Sequence, residues 1–156
     1  MKTLKNLLLI TTVLVLLGCD QKTAAVAKLD ESKIKVGILV IEAPKVVHHS
    51  ANFKVTTKIF NTGEITIPSL GKDGDLLKVG VTYHWKNMDE SILVWDGLVT
   101  PLNSDLNIKS EQKIDVVVIS PTESGRYILE IDLIQNSAFW FFGVGSQSAR
   151  IAVDII

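Results

Sequence analysis

The chain lacks the second cysteine that an internal disulfide needs; its one cysteine is Cys19. It also lacks an excess of charge, with 16 basic against 17 acidic residues. Without a basic stripe, nucleic acid is not an expected partner. No serine lies in a G-x-S-x-G elbow, and no Gly-rich loop ends in Lys-Ser or Lys-Thr. Trp95-Asp96 has the form of a propeller-blade ending, but nothing repeats. His48 and His49 are neighbours, so on a strand they point to opposite faces and cannot share one ion. His84 has no acidic or cysteine partner at useful spacing, and reads with them as structural or solvated. Asp73-Gly74-Asp75 lacks the remaining oxygen ligands and the closing Glu of a calcium loop, and reads as a solvated turn. These absences predict no catalytic residue, no metal and no cofactor.

The start of the chain is better defined. Lys2 and Lys5 precede an apolar run from Leu7 to Leu17, and Gly18 is a small residue at a cleavage position. That is the layout of a secretory signal peptide over residues 1–18. The run is too short for a stable helix across roughly 30 Å of hydrocarbon. Removing the leader's two lysines leaves 14 basic against 17 acidic residues. Residues 19–33 have no strong apolar period and read as a tether, spanning on the order of 20 Å. Residues 34–156 are the predicted folded domain.

Alternation predicts its strands. Val79, Val81, Tyr83 and Trp85 alternate with Gly80, Thr82 and His84, and Ile92 to Trp95 returns after a turn-rich Asn87 to Ser91. Ile34 to Glu42, Asn52 to Asn61, Lys113 to Ser120, Arg126 to Ile134 and Gln147 to Ile156 alternate in the same way. Ile65 to Ile67 is a short edge piece, and Leu98 to Leu102 another short segment. About seven antiparallel strands at this spacing predict an all-β sandwich, with no convincing helix after the leader. Lys54, Thr56 and Lys58 form an exposed row that reads as a plain solvent face.

Leu16-Leu17-Gly18-Cys19 resembles the lipobox of bacterial lipoproteins. The resemblance implies that Cys19 is lipidated, for example with palmitate, and becomes the mature N-terminus. Several acyl chains, at about 0.8 kcal/mol per buried methylene, hold a protein where one chain is marginal. Asp20 resembles the signal for retention in the inner membrane, which implies a domain anchored there and facing the periplasm. Glu123 to Leu129 resembles the tyrosine corner of immunoglobulin-type domains, with Tyr127 as its tyrosine, Gly125 before it and Leu129 at the usual cysteine place. Trp85 suits the Trp of strand C. The fold implied is an immunoglobulin-like β-sandwich without its disulfide. Asn61 to Phe141 is similar to an immunoglobulin-like module appended to bacterial glycosyltransferases and methyltransferases. The matching residues include Tyr83-His84-Trp85, Trp95-Asp96-Gly97-Leu98, Thr100-Pro101-Leu102 and Trp140-Phe141. Val99 and Asn136 stand where that family usually has Arg and Glu. The resemblance implies a non-catalytic binding or scaffold module in an envelope assembly, with a glycan or an envelope protein as partner. The alternative is a structural or chaperone-like lipoprotein that pairs strands with a partner near Ile65 or Ile156.

Phe139-Trp140-Phe141-Phe142 is the unusual concentration of aromatics. An extended segment would put Phe139 and Phe141 on one side, and Trp140 and Phe142 on the other. A sandwich strand buries one side only, so four aromatics in a row predict an irregular segment or an outward pair. Phe139, Trp140 and Phe142 are the candidate binding surface, with Trp140 expected to be shared between core edge and surface.

Overall fold

The computed structural model describes residues 28–69 and 77–156. The leader, Cys19, Asp20 and Asp73-Gly74-Asp75 lie outside the described residues. The strands, in chain order, are β1 (Val36–Glu42), β2 (Val46–Val47), β3 (Asn52–Asn61), β4 (Val79–Lys86), β5 (Ile92–Val94), β6 (Thr100–Pro101), β7 (Glu111–Ile119), β8 (Gly125–Gln135), β9 (Phe139–Trp140) and β10 (Ala149–Ile155). Among the described residues there is no α-helix; two 3-10 turns cover Glu31–Lys33 and Phe141–Val144.

One sheet has the order β1-β3-β7. The other runs β2-β10-β8-β4-β5, with β6 also on β4 and β9 on β8. These are the A-B-E and G-F-C arrangements of an immunoglobulin-like sandwich. The chain is therefore an all-β, immunoglobulin-like module.

Strand β3 shows why the alternation works. Val55, Thr57 and Ile59 are buried, while Lys54, Thr56 and Lys58 lie on the other face. Thr57 is tolerated inside because its hydroxyl donates to the Ile114 carbonyl at 3.1 Å. Its partner β7 buries Ile114, Val116 and Val118 in the same way. Between the sheets lies Trp85, fully buried. Its indole N–H crosses the sandwich to the Ile119 carbonyl at 2.8 Å. The ring packs 6.3 Å from both Phe53 and Tyr127.

Some elements differ from expectation. Ile65 to Ile67 is not a strand; Ile67 makes one bridge, to Leu106. The buried Asn61 takes over that corner, donating to the carbonyls of Ile65 and Leu106. The segment at Leu98 to Leu102 shortens to Thr100–Pro101, where the proline cannot extend a ladder. Residues 28–33, expected in the tether, lie against the domain. Leu29 packs on the core, its N–H donates to Gln135 Oε1 at 2.9 Å, and the Lys28 ammonium sits 5.5 Å from the Phe139 ring.

Candidate functional site

The outer face of the β10-β8-β4 sheet holds a cluster built from distant segments. Register places Thr82 opposite Asp132, and His84 opposite Glu130. Arg150 stands on the far side of Glu130. Such a row would ordinarily face water. Here His84 and Asp132 are fully buried.

The cover is aromatic. Trp95, just beyond β5, stacks on the His84 ring at 4.5 Å. Trp140, at the end of β9, lies 4.4 Å from the same ring, and Phe142 meets it edge-on at 6.1 Å. Trp95 contacts Trp140 at 5.7 Å and Phe142 at 6.0 Å, both edge-to-face. Such pairs add to area burial. The cluster is not sealed, since Trp95 is 38% exposed and Phe142 42%.

Each covering loop is tied down by one buried ionisable group. His84 Nδ1 hydrogen-bonds the Trp95 carbonyl. A carbonyl only accepts, so the proton is on Nδ1 and Nε2 is left as an acceptor. Asp132 Oδ2 accepts from the Phe142 N–H at 3.1 Å. Among the described residues, His84 Nε2 and Asp132 Oδ1 have no hydrogen-bond partner. Burial lowers the His84 pKa, which keeps the ring neutral. Burial raises the Asp132 carboxyl to about 7, against the pull of the Phe142 N–H. Glu130, one pair along, is clamped by Lys86, by Arg150 Nε at 2.8 Å and by the Ser148 hydroxyl at 2.6 Å. Burial pushes its carboxyl up, but those hydrogen bonds outweigh burial and hold it at about 2. Arg150 also reaches Glu90 at 3.0 Å.

The structure splits the four consecutive aromatics. Phe139 and Trp140 are in β9, after which the chain tightens into a 3-10 turn that ends at Gly145 with φ 87°. Phe141 is fully buried, and Phe139 stacks on it at 5.6 Å. Phe139 thus joins the core side rather than Trp140 and Phe142. The residues that Trp140 and Phe142 do join, Trp95 and His84, were not anticipated from the sequence. One signal marked His84, though not Trp95: His84, Glu130 and Asp132 occupy the outward places of two strands that pair.

Trp85 lies in the core, at the place expected of it. The Tyr127 ring packs over Gly125, where a Cβ would come within 3.1 Å of it. The hydroxyl that caps a neighbouring backbone is that of Tyr83, which accepts from the Ile119 N–H at 3.0 Å. His48 and His49 are exposed beside a turn rather than in a strand. Among the described residues, no group of three or more His, Cys, Asp or Glu side chains converges to hold a metal ion.

No protein-family model matches the chain, and no curated protein matches it. Some solved structures resemble it at low identity. The CARDB domain of the PF1109 protein from Pyrococcus furiosus, in complex with di-metal ions, is 15% identical over 83% of this chain and 93% of that one, with a TM-score of 0.46. A β-glucosidase from Listeria innocua in complex with glucose is 12% identical over 78% of this chain and 16% of that one, with a TM-score of 0.46. The alkylpurine DNA glycosylase AlkC of Pseudomonas fluorescens, bound to DNA containing an abasic site analog, is 10% identical over 80% of this chain and 30% of that one, with a TM-score of 0.43. At such distances no ligand or activity transfers to this chain.

Proposed function

We propose that this chain is a non-catalytic binding module, lipid-anchored through Cys19 to the periplasmic face of a bacterial inner membrane. Its ligand face is the platform of Trp95, Trp140 and Phe142, and its ligand class is an envelope glycan. The observation that carries the reading is that two separate loops bring three aromatic side chains together, with Trp95 and Phe142 open to solvent. Flat aromatic rings give large contact area at small entropy cost and suit the apolar face of a sugar ring. Exposed aromatics without a partner are an aggregation liability. Lys86, Glu130, Arg150 and Glu90 form a charged chain along the same sheet face, and its exposed end at Arg150 and Glu90 is available for hydroxyl groups.

Near the edges expected for strand pairing, Ile65 and Ile156, some backbone groups are already bonded, the Ile65 carbonyl by Asn61. Both backbone groups of Ile67 bond Leu106. The Ile156 N–H bonds Val47, and its carbonyl accepts from His49. This favours the platform over edge pairing. The test is an array of bacterial envelope oligosaccharides probed with the full-length chain and its Trp95→Ala and Phe142→Ala variants. The expected result is binding by the parent chain that falls tenfold or more in each variant, with melting within a few degrees. A silent array, or variants that bind like the parent, would overturn the reading. The anchor is tested separately by palmitate labelling, which Cys19→Ser should abolish.

A further inference from the structure

A concavity lies between the two sheets at one side of the sandwich, lined in part by Val94 and Asp96, the neighbours of Trp95. It holds about 470 Å³, within the range of specific ligand sites. One wall is β5 and the segment after it, with Leu93, Val94 and Leu98; the other is the end of β7 and the residues just beyond it, with Ile119 and Pro121. Tyr83 and Tyr127 also line it. Gly97 lets the first wall approach so closely: its N–H donates to the Tyr83 carbonyl at 3.0 Å, and a Cβ there would come within 2.5 Å of that oxygen.

Leu93, Leu98 and Ile119 are exposed around this groove. The apolar rim runs on to Val117 along β7 and to Ile92 and Val99 on the facing segment, all exposed. Thr100 holds those two sides together, its hydroxyl 3.4 Å from the Val117 N–H. The charges at the groove are of one sign. Asp96 and Glu123 line it, no basic residue does, and neither carboxylate has an ion-pair partner among the described residues.

We propose that this groove is a docking site for a peptide segment of a partner protein. The segment lays a bulky aliphatic side chain between Leu98 and Ile119 and sets a lysine or arginine against Asp96 and Glu123. The apolar floor supplies the contact area, and the two unpaired carboxylates select a cationic neighbour over an anionic one. A fatty acid or an acidic peptide would bring its charge against like charge. The apolar rim extends beyond the groove along both walls, which suits a chain of several residues rather than a compact small molecule.

The probe is an acetylated, amidated octapeptide of alternating leucine and lysine, titrated against the full-length chain. Controls replace its lysines with glutamate or its leucines with serine. The expected result is saturable binding of the leucine–lysine peptide alone, weakened severalfold between low and high salt. Asp96→Asn with Glu123→Gln should weaken it about tenfold and flatten the salt dependence. Leu98→Asp, at an exposed position that leaves the fold intact by its melting curve, should abolish it while leaving platform binding unchanged. Three results would overturn the proposal: equal binding of the glutamate peptide, no binding of the lysine peptide, or undiminished binding by Leu98→Asp. A parent chain that dimerises, with Leu98→Asp monomeric, would also overturn it and give the groove to a second copy of the chain.

Discussion

The two sheets present opposite kinds of outer face from the same pattern of residues. On the β1-β3-β7 sheet, Lys54, Lys58, Glu111 and Asp115 stand in water, and their ion pairs, at 4.0 and 2.9 Å, are exposed. On the β10-β8-β4 sheet, Glu130 is held by three partners and Asp132 is buried beneath aromatic loops. Along each strand the letters alternate alike. What differs is whether a loop from elsewhere lies down on the face. A charge on these sheet faces becomes structural when it is covered.

The largest expected effect sharpens this contrast at Glu130. Glu130→Ala leaves Lys86, whose side chain is 13% exposed, without its buried partner. Breaking a buried pair from one side costs about 3–5 kcal/mol. Melting should fall by roughly ten degrees or more. The carboxyl is held at about 2, below its ordinary 4.5. Its contribution is therefore present above pH 4.5 and lost as pH falls toward 2. Acid unfolding of the parent should show that loss, and the variant should lack it. A variant that melts like the parent would put the two faces on the same footing.

Asp132 has the opposite sign and a smaller effect. Its carboxyl is raised from 3.8 to about 7. The group favours the folded state most below pH 3.8, and that contribution is lost as pH rises through 7. Asp132→Asn keeps an oxygen for the Phe142 N–H and removes the ionisation. It should raise stability at pH 8 by on the order of a few kcal/mol and leave pH 4 nearly unchanged. His84 opposes this trend: its lowered pKa withdraws stability as pH falls below the ordinary 6.5. The parent should therefore melt highest in weakly acidic solution. Identical pH–melting curves for parent and Asp132→Asn would show that the aromatic cover does not exclude water from the carboxyl.

The sandwich was legible because most of its strands bury one side. Strand β3 runs over the residues its alternation marks, Asn52–Asn61, and Trp85 lies in the core. The site was legible in part. Trp140 and Phe142 stood out in a dense aromatic run; alternation sets Phe139 with Phe141 on the opposite side, so counting Phe139 in the candidate surface went against that pattern. In the structure Phe139, in β9, stacks on the buried Phe141 on the core side. Trp95 and His84 could not be joined to the cluster from local pattern, since their contacts with Trp140 join distant parts of the chain. The tyrosine corner shows the same limit. The motif marks Tyr127, but the Ile119 N–H goes to Tyr83, which sits across the sandwich and nowhere near it in sequence.

The smallest effect belongs to the open face. The side chains of Lys58 and Glu111 are 39% and 60% exposed, and those of Lys54 and Asp115 are more than half exposed. Water solvates these charges almost as well as they solvate each other, and holding two long side chains together costs rotamer entropy. Exposed pairs therefore contribute about 0–1 kcal/mol, and less in salt. Lys58→Ala, Glu111→Ala and the double variant form a cycle whose coupling should stay below about 0.5 kcal/mol. Melting should drop by no more than a degree or two, because neither charge is covered. A coupling of about 2 kcal/mol or more, far above the range of exposed pairs, or a loss of ligand binding in Lys58→Ala, would show that something covers this face in solution, and the difference between the two sheets would then vanish.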